Sequence, residues 1–347
     1  MKAKKFFALL LAVLMVLGLA ACGGNDSGTP ADTGADAPAD AGSDTPADTG
    51  STDGGSYTVG ICQLMEHDAL DAATKGFQDA LTDKLGDSVT YEYQNAQGDA
   101  NTCSTIINGF VSSGVDLILA NATPALQAAA AGTSEIPILG TAVTEYGVAL
   151  DIDNFDGVVG GNISGTSDLA PLDEQAAMIQ EWMPDAKTVG LLYCSAEANS
   201  QYQVDVVKSE LEGLGYTATL YAFADSNDLS AVCTTAANEN DVLYIPTDNT
   251  AANNTGIVDN ICRPLNKPVF VGEEGIARGC GVATLSISYY ELGYTTGEMA
   301  AQVLTGEADI SAMPIGYAPA VKKYNADICE ALGITVPEGY EAIEAAE

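Results

Sequence analysis

The chain has 347 residues, with 12 Lys plus Arg against 48 Asp plus Glu and a formal net charge of −36 at pH 7. Hydrophobic residues make up 47% and charged residues 17%, which allows one or two sizeable cores in a globular protein. The excess of negative charge argues against DNA or RNA as a partner, because proteins bind nucleic-acid phosphates through Lys and Arg.

The first 22 residues have the pattern of a lipoprotein signal peptide. Three lysines precede an apolar run over residues 6–19, which is shorter than a typical membrane span. Ala20 and Ala21 stand directly before Cys22, as in the lipobox of bacterial lipoproteins. We expect cleavage before Cys22, lipid attachment at this cysteine and an extracytoplasmic protein anchored to the bacterial cell membrane. An ordinary secretory signal, with Cys22 incidental, is the alternative.

Residues 23–56 consist largely of Gly, Ala, Asp, Thr, Ser and Pro, and the sequence Pro-Ala-Asp-Thr-Gly occurs at both 30–34 and 46–50. A segment of low hydrophobicity and same-sign charge buries no core. This pattern predicts a disordered acidic tether between the anchor and a folded part that begins near residue 57.

Seven cysteines follow Cys22, an odd number with no Cys-x-x-Cys pair, and the chain has a single histidine. This pattern is not typical of a zinc site or a redox motif. Disulfides are permitted outside the membrane, but the sequence does not pair these cysteines. Most of them stand among apolar residues, which predicts buried free thiols.

From residue 57 onward, strand-like and helix-like periodicities alternate. The first half predicts strands at 57–63, 89–95, 117–120 and 137–141, and helices at 69–85, 101–114 and 124–131. The second half predicts strands at 188–194, 217–223, 242–245 and 268–272, and helices at 173–183, 200–214 and 228–239.

The two halves repeat one order of elements on either side of a polar run at residues 162–168, which we interpret as a hinge. Aligning Val59 with Val189 and Leu117 with Val242 gives offsets of 130 and 125 residues. Alternating strands and helices predict parallel sheets covered on both faces, so the sequence indicates an α/β fold of two Rossmann-like lobes. Ligands of such sheets bind beyond the carboxyl ends of the strands, which places a cleft between the lobes.

Six blocks of sequence together resemble the TrpX-like substrate-binding lipoproteins of ABC importers. The blocks are residues 61–71, 121–125, 162–168, 197–200, 246–250 and 272–275. The resemblance implies a type I periplasmic-binding-protein fold whose lobes are joined by a three-crossing hinge, at 162–168, 286–290 and 308–314. The implied N-terminal lobe comprises 57–163 plus 289–312, and the implied C-terminal lobe comprises 164–288 plus 313–347.

The same resemblance implies a monomer that captures an amino acid and delivers it to an ABC permease and its ATPase, with no cofactor. Studied members of the family are associated with aromatic amino acids, so tryptophan, tyrosine and phenylalanine are the expected ligands. Two alternatives remain: a tethered ligand sensor, and an importer component for a sugar or nucleoside. The candidate loops contain no Trp and no Arg, whereas sugar clefts generally show several stacking aromatic residues and charged bidentate groups.

An amino acid needs donors for its carboxylate, acceptors for its ammonium and a surface for its side chain. For the carboxylate we expect amides and hydroxyls near Thr123, Ala125, Ser195, Asn199 and Ser200. For the ammonium we favour Asp248, with Glu274 second. Loop and wall candidates are Gln63, Glu66, His67, Asn249 and Tyr289. In the hinge, Thr166, Ser167 and Asp168 either bind the ligand or hold the hinge.

Motifs for catalysis and metal binding are missing from the sequence. His67 is the single histidine, and there is no Gly-x-Ser-x-Gly elbow, phosphate-binding loop or His-Glu-x-x-His motif. Residues 151–157 partly match an EF-hand loop, but Phe155 occupies a ligand position and the glycine comes one place late. We therefore expect neither an enzyme nor a metal site.

Overall fold

The computed structural model describes residues 56–344, so Cys22, the signal peptide and nearly all of the predicted tether lie outside the described residues. Within these residues the strands are β1 (Tyr57–Gln63), β2 (Val89–Asn95), β3 (Leu117–Asn121), β4 (Ile138–Val143), β5 (Ile163–Ser167), β6 (Thr188–Cys194), β7 (Thr217–Phe223), β8 (Val242–Ile245), β9 (Val269–Val271), β10 (Ala283–Ser286), β11 (Gly316–Tyr317), β12 (Val321–Tyr324) and β13 (Glu341–Ala342).

The helices of the same part are α1 (Asp68–Leu85), α2 (Ala100–Ser113), α3 (Thr123–Gly132), α4 (Tyr146–Leu150), α5 (Leu172–Trp182), α6 (Ala198–Gly213), α7 (Ser226–Glu239), α8 (Asn249–Ala252), α9 (Thr255–Cys262), α10 (Glu274–Gly279), α11 (Tyr289–Leu304) and α12 (Ala326–Leu332). No helix between residues 56 and 344 is long and apolar enough to cross a membrane.

Two sheets form the cores of two lobes. The first sheet has the order β11-β5-β4-β3-β1-β2 and the second has the order β13-β12-β10-β9-β8-β6-β7. The series β2-β1-β3-β4-β5 and β7-β6-β8-β9-β10 correspond, which confirms the repeat predicted from the sequence. Neighbouring strands are parallel except β10 and β12, which run antiparallel. In each sheet the chain first adds a strand on one side of the starting strand, β1 or β6, and then adds the following strands on its other side. The α/β proteins bind ligands at the point where the order of strands reverses in this way.

Alternate residues of each strand enter two cores, one on each face of the sheet. In β3, Leu117 and Leu119 pack towards α1 and α11, whereas Ile118 and Ala120 pack towards α2 and α3. In the second sheet, α5, α6 and α12 cover one face and α7, α9 and α10 cover the other. Burial on both faces explains why these strands read as continuous apolar runs.

The chain passes between the lobes three times, and the structure shifts two of the predicted crossings. Residues 162–168, interpreted as a hinge, largely form the buried strand β5, and the chain leaves the first sheet after Ser167. The second crossing, between β10 and α11, lies at the predicted residues. The third prediction, 308–314, is wrong because β11 still pairs with β5, so that crossing follows Tyr317. The predicted boundaries at 163/164 and 312/313 move accordingly. A two-residue strand has no periodic signal, so the sequence could not reveal β11.

Gly165 is required by contact as well as by conformation. Its φ of +144° lies outside the range that other residues adopt, and a Cβ there would stand 2.1 Å from the carbonyl oxygen of Gly140 in β4. The Tyr146 hydroxyl covers the same point and donates to the Thr166 carbonyl at 3.1 Å. This glycine therefore permits a close approach of two strands at the base of the cleft.

Helices α1 and α11 pack backbone to backbone because the residues at three of their closest contacts are glycines. A Cβ on Gly293 would lie 1.9 Å from the Ala73 carbonyl oxygen, and one on Gly76 would lie 2.1 Å from the Tyr290 carbonyl oxygen. A Cβ on Gly297 would lie 2.5 Å from the Phe77 carbonyl oxygen. The segment that returns from the second lobe is thus held closely against the first lobe.

Replacing Gly293 by Ala should lower the free energy of unfolding by about 1–3 kcal/mol, because the new methyl group forces the two helices apart. Gly109→Ala is the matched control, since Gly109 is also helical but a Cβ there has no atom within 4 Å. The control should be neutral or stabilising, as expected for alanine in a helix. Urea unfolding measures both, and equal stability of the two variants would contradict the packing argument.

Candidate functional site

A small cavity of about 10 Å³ lies between the lobes where the carboxyl ends of their strands meet. The first lobe and its crossings contribute His67, Ala69, Leu70, Ala142, Thr144, Asp168 and Tyr289. The second lobe contributes Asn199, Thr247, Asp248, Asn249, Ala252 and Glu273. Two larger cavities, of about 260 and 330 Å³, adjoin it and share Glu273 with it. A ligand the size of an amino acid therefore needs the lobes or their side chains to move before it occupies the centre.

Six of the residues predicted from the sequence line this central cavity. They are His67, Asp168, Asn199, Asp248, Asn249 and Tyr289. Residues of the lining that the sequence analysis did not select are Ala69, Leu70, Ala142, Thr144, Thr247, Ala252 and Glu273. Several of these stand inside or beside the matched blocks, so the blocks located the loops without identifying which side chains turn inward.

Asp168 is a buried carboxyl group at the base of the cleft, 4% exposed. Its Oδ2 accepts a hydrogen bond from the Tyr289 hydroxyl at 2.8 Å, whereas its Oδ1 is buried without a hydrogen-bond partner. Burial raises the pKa of Asp168, and the hydroxyl groups of Tyr289 and, to a smaller extent, Thr144 oppose that rise. The Oδ1 atom of Asp168 is therefore a free hydrogen-bond acceptor that is buried from solvent.

Asp248 has a different position, because both of its oxygens are occupied within the second lobe. Oδ2 accepts from the Cys194 amide at 2.6 Å, and Oδ1 accepts from the Ala251 amide at 2.8 Å as the N-cap of α8. Burial, and then the nearby charge of Glu197, raise the pKa of Asp248 to about 8. Asp248 therefore caps α8 and ties it to the end of β6.

Glu197 organises the loop that follows β8. Its Oε2 accepts from the Asn249 amide at 3.0 Å and the Asn249 side chain at 2.7 Å, and its Oε1 accepts from the Thr250 amide at 2.9 Å and its hydroxyl at 2.8 Å. Asn199 joins this network by donating from Nδ2 to the Thr247 carbonyl at 3.1 Å and to Glu197 at 3.3 Å. Since Nδ2 faces two acceptors, the amide is fixed, and its Oδ1 remains buried without a partner.

The adjacent acids Glu273 and Glu274 face different surroundings. Glu273 is 2% exposed and caps α10, accepting from the Gly275 amide at 2.6 Å and the Ile276 amide at 2.5 Å. Burial raises the pKa of Glu273 to about 7. Glu274 instead pairs with Arg278 at 3.1 Å and Lys323 at 2.5 Å and lines the 330 Å³ cavity. Glu273, rather than the predicted Glu274, reaches the central cavity.

Two contacts at the mouth of the cleft join the lobes directly. His67 Nε2 lies 3.2 Å from Asn249 Oδ1, and Arg278 Nη1 lies 2.5 Å from Asp68 Oδ2. Burial lowers the pKa of His67, so the neutral ring donates from Nε2 to the amide oxygen. These contacts require the lobes to be close together.

Two of the residues predicted for the ligand carboxylate, Thr123 and Ala125, belong to the first lobe. Thr123 and Ala125 lie in the first turn of α3, whose first amide groups have no acceptor within the helix, and Thr123 Oγ1 is buried without a partner. Ala122, just before them, has a φ of +90°, and Ala142 in the cavity wall has a φ of +52°. Strained backbone of this kind is concentrated at functional sites.

Several other predicted residues have structural contacts instead. Gln63 is buried in the first lobe and donates to the Met65 carbonyl at 2.8 Å and to Asp71 at 2.6 Å. Thr166 contacts the Thr296 hydroxyl at 2.7 Å, and Ser167 donates to the Thr144 carbonyl at 2.7 Å. Thr166 and Ser167 therefore hold the base of the cleft together.

Three predicted residues remain. Glu66 is exposed, as is Ser195, which donates to the Phe223 carbonyl at 3.2 Å. Ser200 is fully buried, and its hydroxyl faces Asp248. Among the described residues, no group of three or more His, Cys, Asp or Glu side chains is arranged to hold a metal ion.

Comparison with known proteins identifies one family over nearly the whole described region. Residues 58–345 match the family model described as ABC transporter substrate binding protein. A tyrosine-binding protein of Clostridioides difficile (strain R20291) is 35% identical over 315 residues, covering 88% of this chain and 86% of the relative.

Two solved structures extend this comparison. The ABC domain in complex with L-Trp from Streptococcus pneumonia is 31% identical, covers 83% of this chain and 99% of its own, and superposes with a TM-score of 0.78. The ligand-free, open structure of a substrate binding protein with adhesive properties from Clostridium difficile is 36% identical, covers 84% and 100%, and has a TM-score of 0.64. The present arrangement of the lobes is therefore more similar to the tryptophan complex than to the open form, although sequence identity runs the other way.

The pKa of Asp248 gives a test of its burial. Since the folded pKa of about 8 lies above the unfolded value near 3.9, the folded chain holds a proton that the unfolded chain releases. The contribution of Asp248 to stability therefore falls as pH rises from 5 to 8, and Asp248→Asn should flatten the measured profile of unfolding free energy. Asp241→Asn is the control: the amides of Lys187 and Thr188 lower the pKa of this exposed carboxyl group, so its profile should parallel the wild type above pH 5. Urea titrations at each pH give both profiles, and a parallel profile for Asp248→Asn would contradict the assignment.

Proposed function

Since the chain belongs to the ABC transporter substrate-binding protein family, we propose that it captures an aromatic amino acid between its lobes and delivers it to a permease and its ATPase. Support for the ligand class comes from the relatives that bind tyrosine and L-tryptophan. Proteins of this family act outside the cytoplasm. A lipid on Cys22 and a tether over residues 23–56 would keep the binding protein beside its transporter.

The observation that carries this proposal is the pair of free acceptors in the central cavity. Asp168 Oδ1 comes from the base of the cleft and Asn199 Oδ1 comes from the second lobe, and neither has a hydrogen-bond partner. A buried acceptor without a partner is costly, so a ligand that brings N–H groups gains from pairing with it. An ammonium group supplies three N–H donors and a charge that matches the Asp168 carboxylate.

These contacts favour Asp168 over Asp248 as the partner of the ligand ammonium. Both oxygens of Asp248 accept backbone amides, as do both oxygens of Glu273. Those two acids shape the loops, whereas Asp168 retains an unused lone pair at the cavity. Tyr289 positions Asp168 by holding its other oxygen.

For the ligand carboxylate we propose the first turn of α3. The Thr123 hydroxyl is buried without a partner, and the amides near Thr123 and Ala125 have no acceptor within the helix. Helix N-termini favour anions through these free amides and the helix dipole. The Asn199 side chain is not a carboxylate donor in this arrangement, because its Nδ2 is already engaged by Glu197 and Thr247.

The aromatic side chain is proposed to lie where the central cavity opens into the 330 Å³ cavity. Ala69 and Tyr289 line both spaces, and Ala72 and Ile287 extend the apolar wall. Small apolar residues beside an aromatic ring leave room for a planar group and permit edge or offset contact with it. This wall suits the ring shared by tryptophan, tyrosine and phenylalanine.

Closure would follow ligand capture. A ligand that binds Asp168 and second-lobe groups together stabilises the arrangement in which the lobes meet, since it has no such paired contacts when they are apart. The contacts His67–Asn249 and Asp68–Arg278 form in that same arrangement. The permease would then recognise a surface to which both lobes contribute.

The ammonium assignment is tested by calorimetry of the full chain with L-tyrosine, L-tryptophan, L-phenylalanine, L-leucine and D-glucose. We expect an aromatic amino acid to bind and Asp168→Asn to weaken it at least tenfold, because a charged hydrogen bond is lost. 3-(4-Hydroxyphenyl)propanoate, which lacks the ammonium of tyrosine, should bind the wild type and Asp168→Asn equally.

The control for this experiment is Asp87→Asn, which removes one charge from an exposed turn. Its affinities should equal those of the wild type. Binding of glucose with no response to any aromatic amino acid would overturn the ligand class, and an unchanged affinity of Asp168→Asn for the bound amino acid would overturn the role of Asp168.

The contact between Asp68 and Arg278 should have a modest effect, because the two side chains are 66% and 31% exposed. We expect Arg278→Gln to weaken ligand binding about two- to fivefold, mainly through faster dissociation, and to reduce the loss of affinity between 50 and 500 mM salt. Lys208→Gln, which removes an exposed ion pair within α6, is the matched control. Stopped-flow dissociation rates measure the effect, and equal rates for the two variants would contradict a contribution to closure.

A further inference from the structure

Two cysteines lie sulfur to sulfur in the second lobe. Cys233 on α7 and Cys262 at the end of α9 have Sγ atoms 3.8 Å apart, and the residues are 0% and 2% exposed. Both carry free thiols, as do the other five cysteines of the described region. We propose that Cys233 and Cys262 are an oxidisable dithiol whose disulfide encloses the loop that bears Asp248 and Asn249.

The hydrogen bonds of the neighbouring thiols distinguish this pair. Cys280 donates to the Ile276 carbonyl, Cys329 to the Val282 carbonyl and Cys194 to the Ala224 carbonyl, each at 3.5 Å. The thiols of Cys233 and Cys262 instead contact each other through their Sγ atoms. A disulfide has a sulfur–sulfur distance of about 2.05 Å, so closing the bond requires an approach of roughly 1.8 Å. Such a shift is compatible with the position of Cys262 at the last residue of a helix.

The disulfide would close a loop of the chain that contains residues of the cavity. The two cysteines are 29 positions apart, and β8 and α8 lie between them. Asp248 and Asn249, which line the cavity, therefore belong to the loop that the disulfide would close. A cross-link of this length restricts the unfolded chain and ties α9 to α7. Oxidation would thereby stabilise the second-lobe wall of the cleft without adding a group to it.

The chemistry is thiol–disulfide exchange with a small-molecule disulfide as the oxidant. The Cys233 thiolate attacks one sulfur of the oxidant and releases one small thiolate, giving a mixed disulfide. The Cys262 thiolate then attacks Cys233 Sγ and releases the second. Two S–H bonds are lost, one S–S bond forms, two protons leave, and the oxidant is reduced to two thiols. In the folded chain the contact with Cys262 lowers the pKa of the Cys233 thiol.

The full chain is incubated with oxidised glutathione, once in buffer and once in urea at a concentration below that of the unfolding transition, where local opening admits the reagent. The midpoint of thermal unfolding is then measured for the oxidised and the reduced protein. Free thiols are then alkylated under denaturing conditions and the digest is analysed by mass spectrometry. We expect a linked peptide containing Cys233 and Cys262, alkylated Cys280 and Cys329, and an unfolding midpoint roughly 5–10 °C above that of the reduced protein.

Cys233→Ala and Cys262→Ala should each abolish both the linked peptide and the rise in midpoint, whereas Cys329→Ala should retain them. The rise is measured for each variant against its own reduced form, so the destabilisation of the alanine substitutions cancels. Alkylation of both cysteines in buffer and in urea, or a link that joins only other cysteines, would overturn the proposal. A linked peptide without a higher midpoint of thermal unfolding would overturn the stabilising role of the disulfide. None of these outcomes depends on which ligand the cleft binds.

Discussion

The hydrogen bond between Tyr289 and Asp168 connects two of the three crossings at the base of the cleft. Asp168 follows β5 at the first crossing, and Tyr289 begins α11 after the second. One carboxylate oxygen is used in holding these segments together, and the other remains free towards the cavity. The connection between the lobes and the candidate binding group are therefore parts of one buried interaction, so a change at either residue affects both.

Buried acids in this cleft divide into two kinds. Glu197, Asp248 and Glu273 accept backbone amides and fix the loops after the second-lobe strands. Asp168 accepts the Tyr289 hydroxyl through Oδ2, and its Oδ1 has no hydrogen-bond partner. Because amides satisfy the oxygens of the first three, these acids order the loops, whereas one oxygen of Asp168 has no hydrogen-bond partner. This division leaves one carboxyl oxygen of the cleft free, while the other buried acids order its loops.

The two polar contacts that join the lobes at the mouth of the cleft are weak or partly exposed. Asp68–Arg278 is an exposed ion pair, and His67–Asn249 is a single hydrogen bond between uncharged side chains. Interactions of this kind contribute about 1 kcal/mol or less each, so these two contacts by themselves hold the lobes together only weakly. The higher TM-score against the tryptophan complex than against the ligand-free, open relative agrees with lobes that lie close together here.

The sequence by itself determined the long strands and helices of the two halves and their repeat, because apolar periodicity and helix-ending glycines act locally. It also located the loops of the cleft, since these follow the carboxyl ends of predicted strands. The tertiary structure decided which acid in those loops is free: Asp248 is capped by amides from Cys194 and Ala251, which no local pattern reveals. It likewise decided the third crossing and the Cys233–Cys262 contact, because pairing between distant segments depends on packing and leaves no periodic signal in either segment.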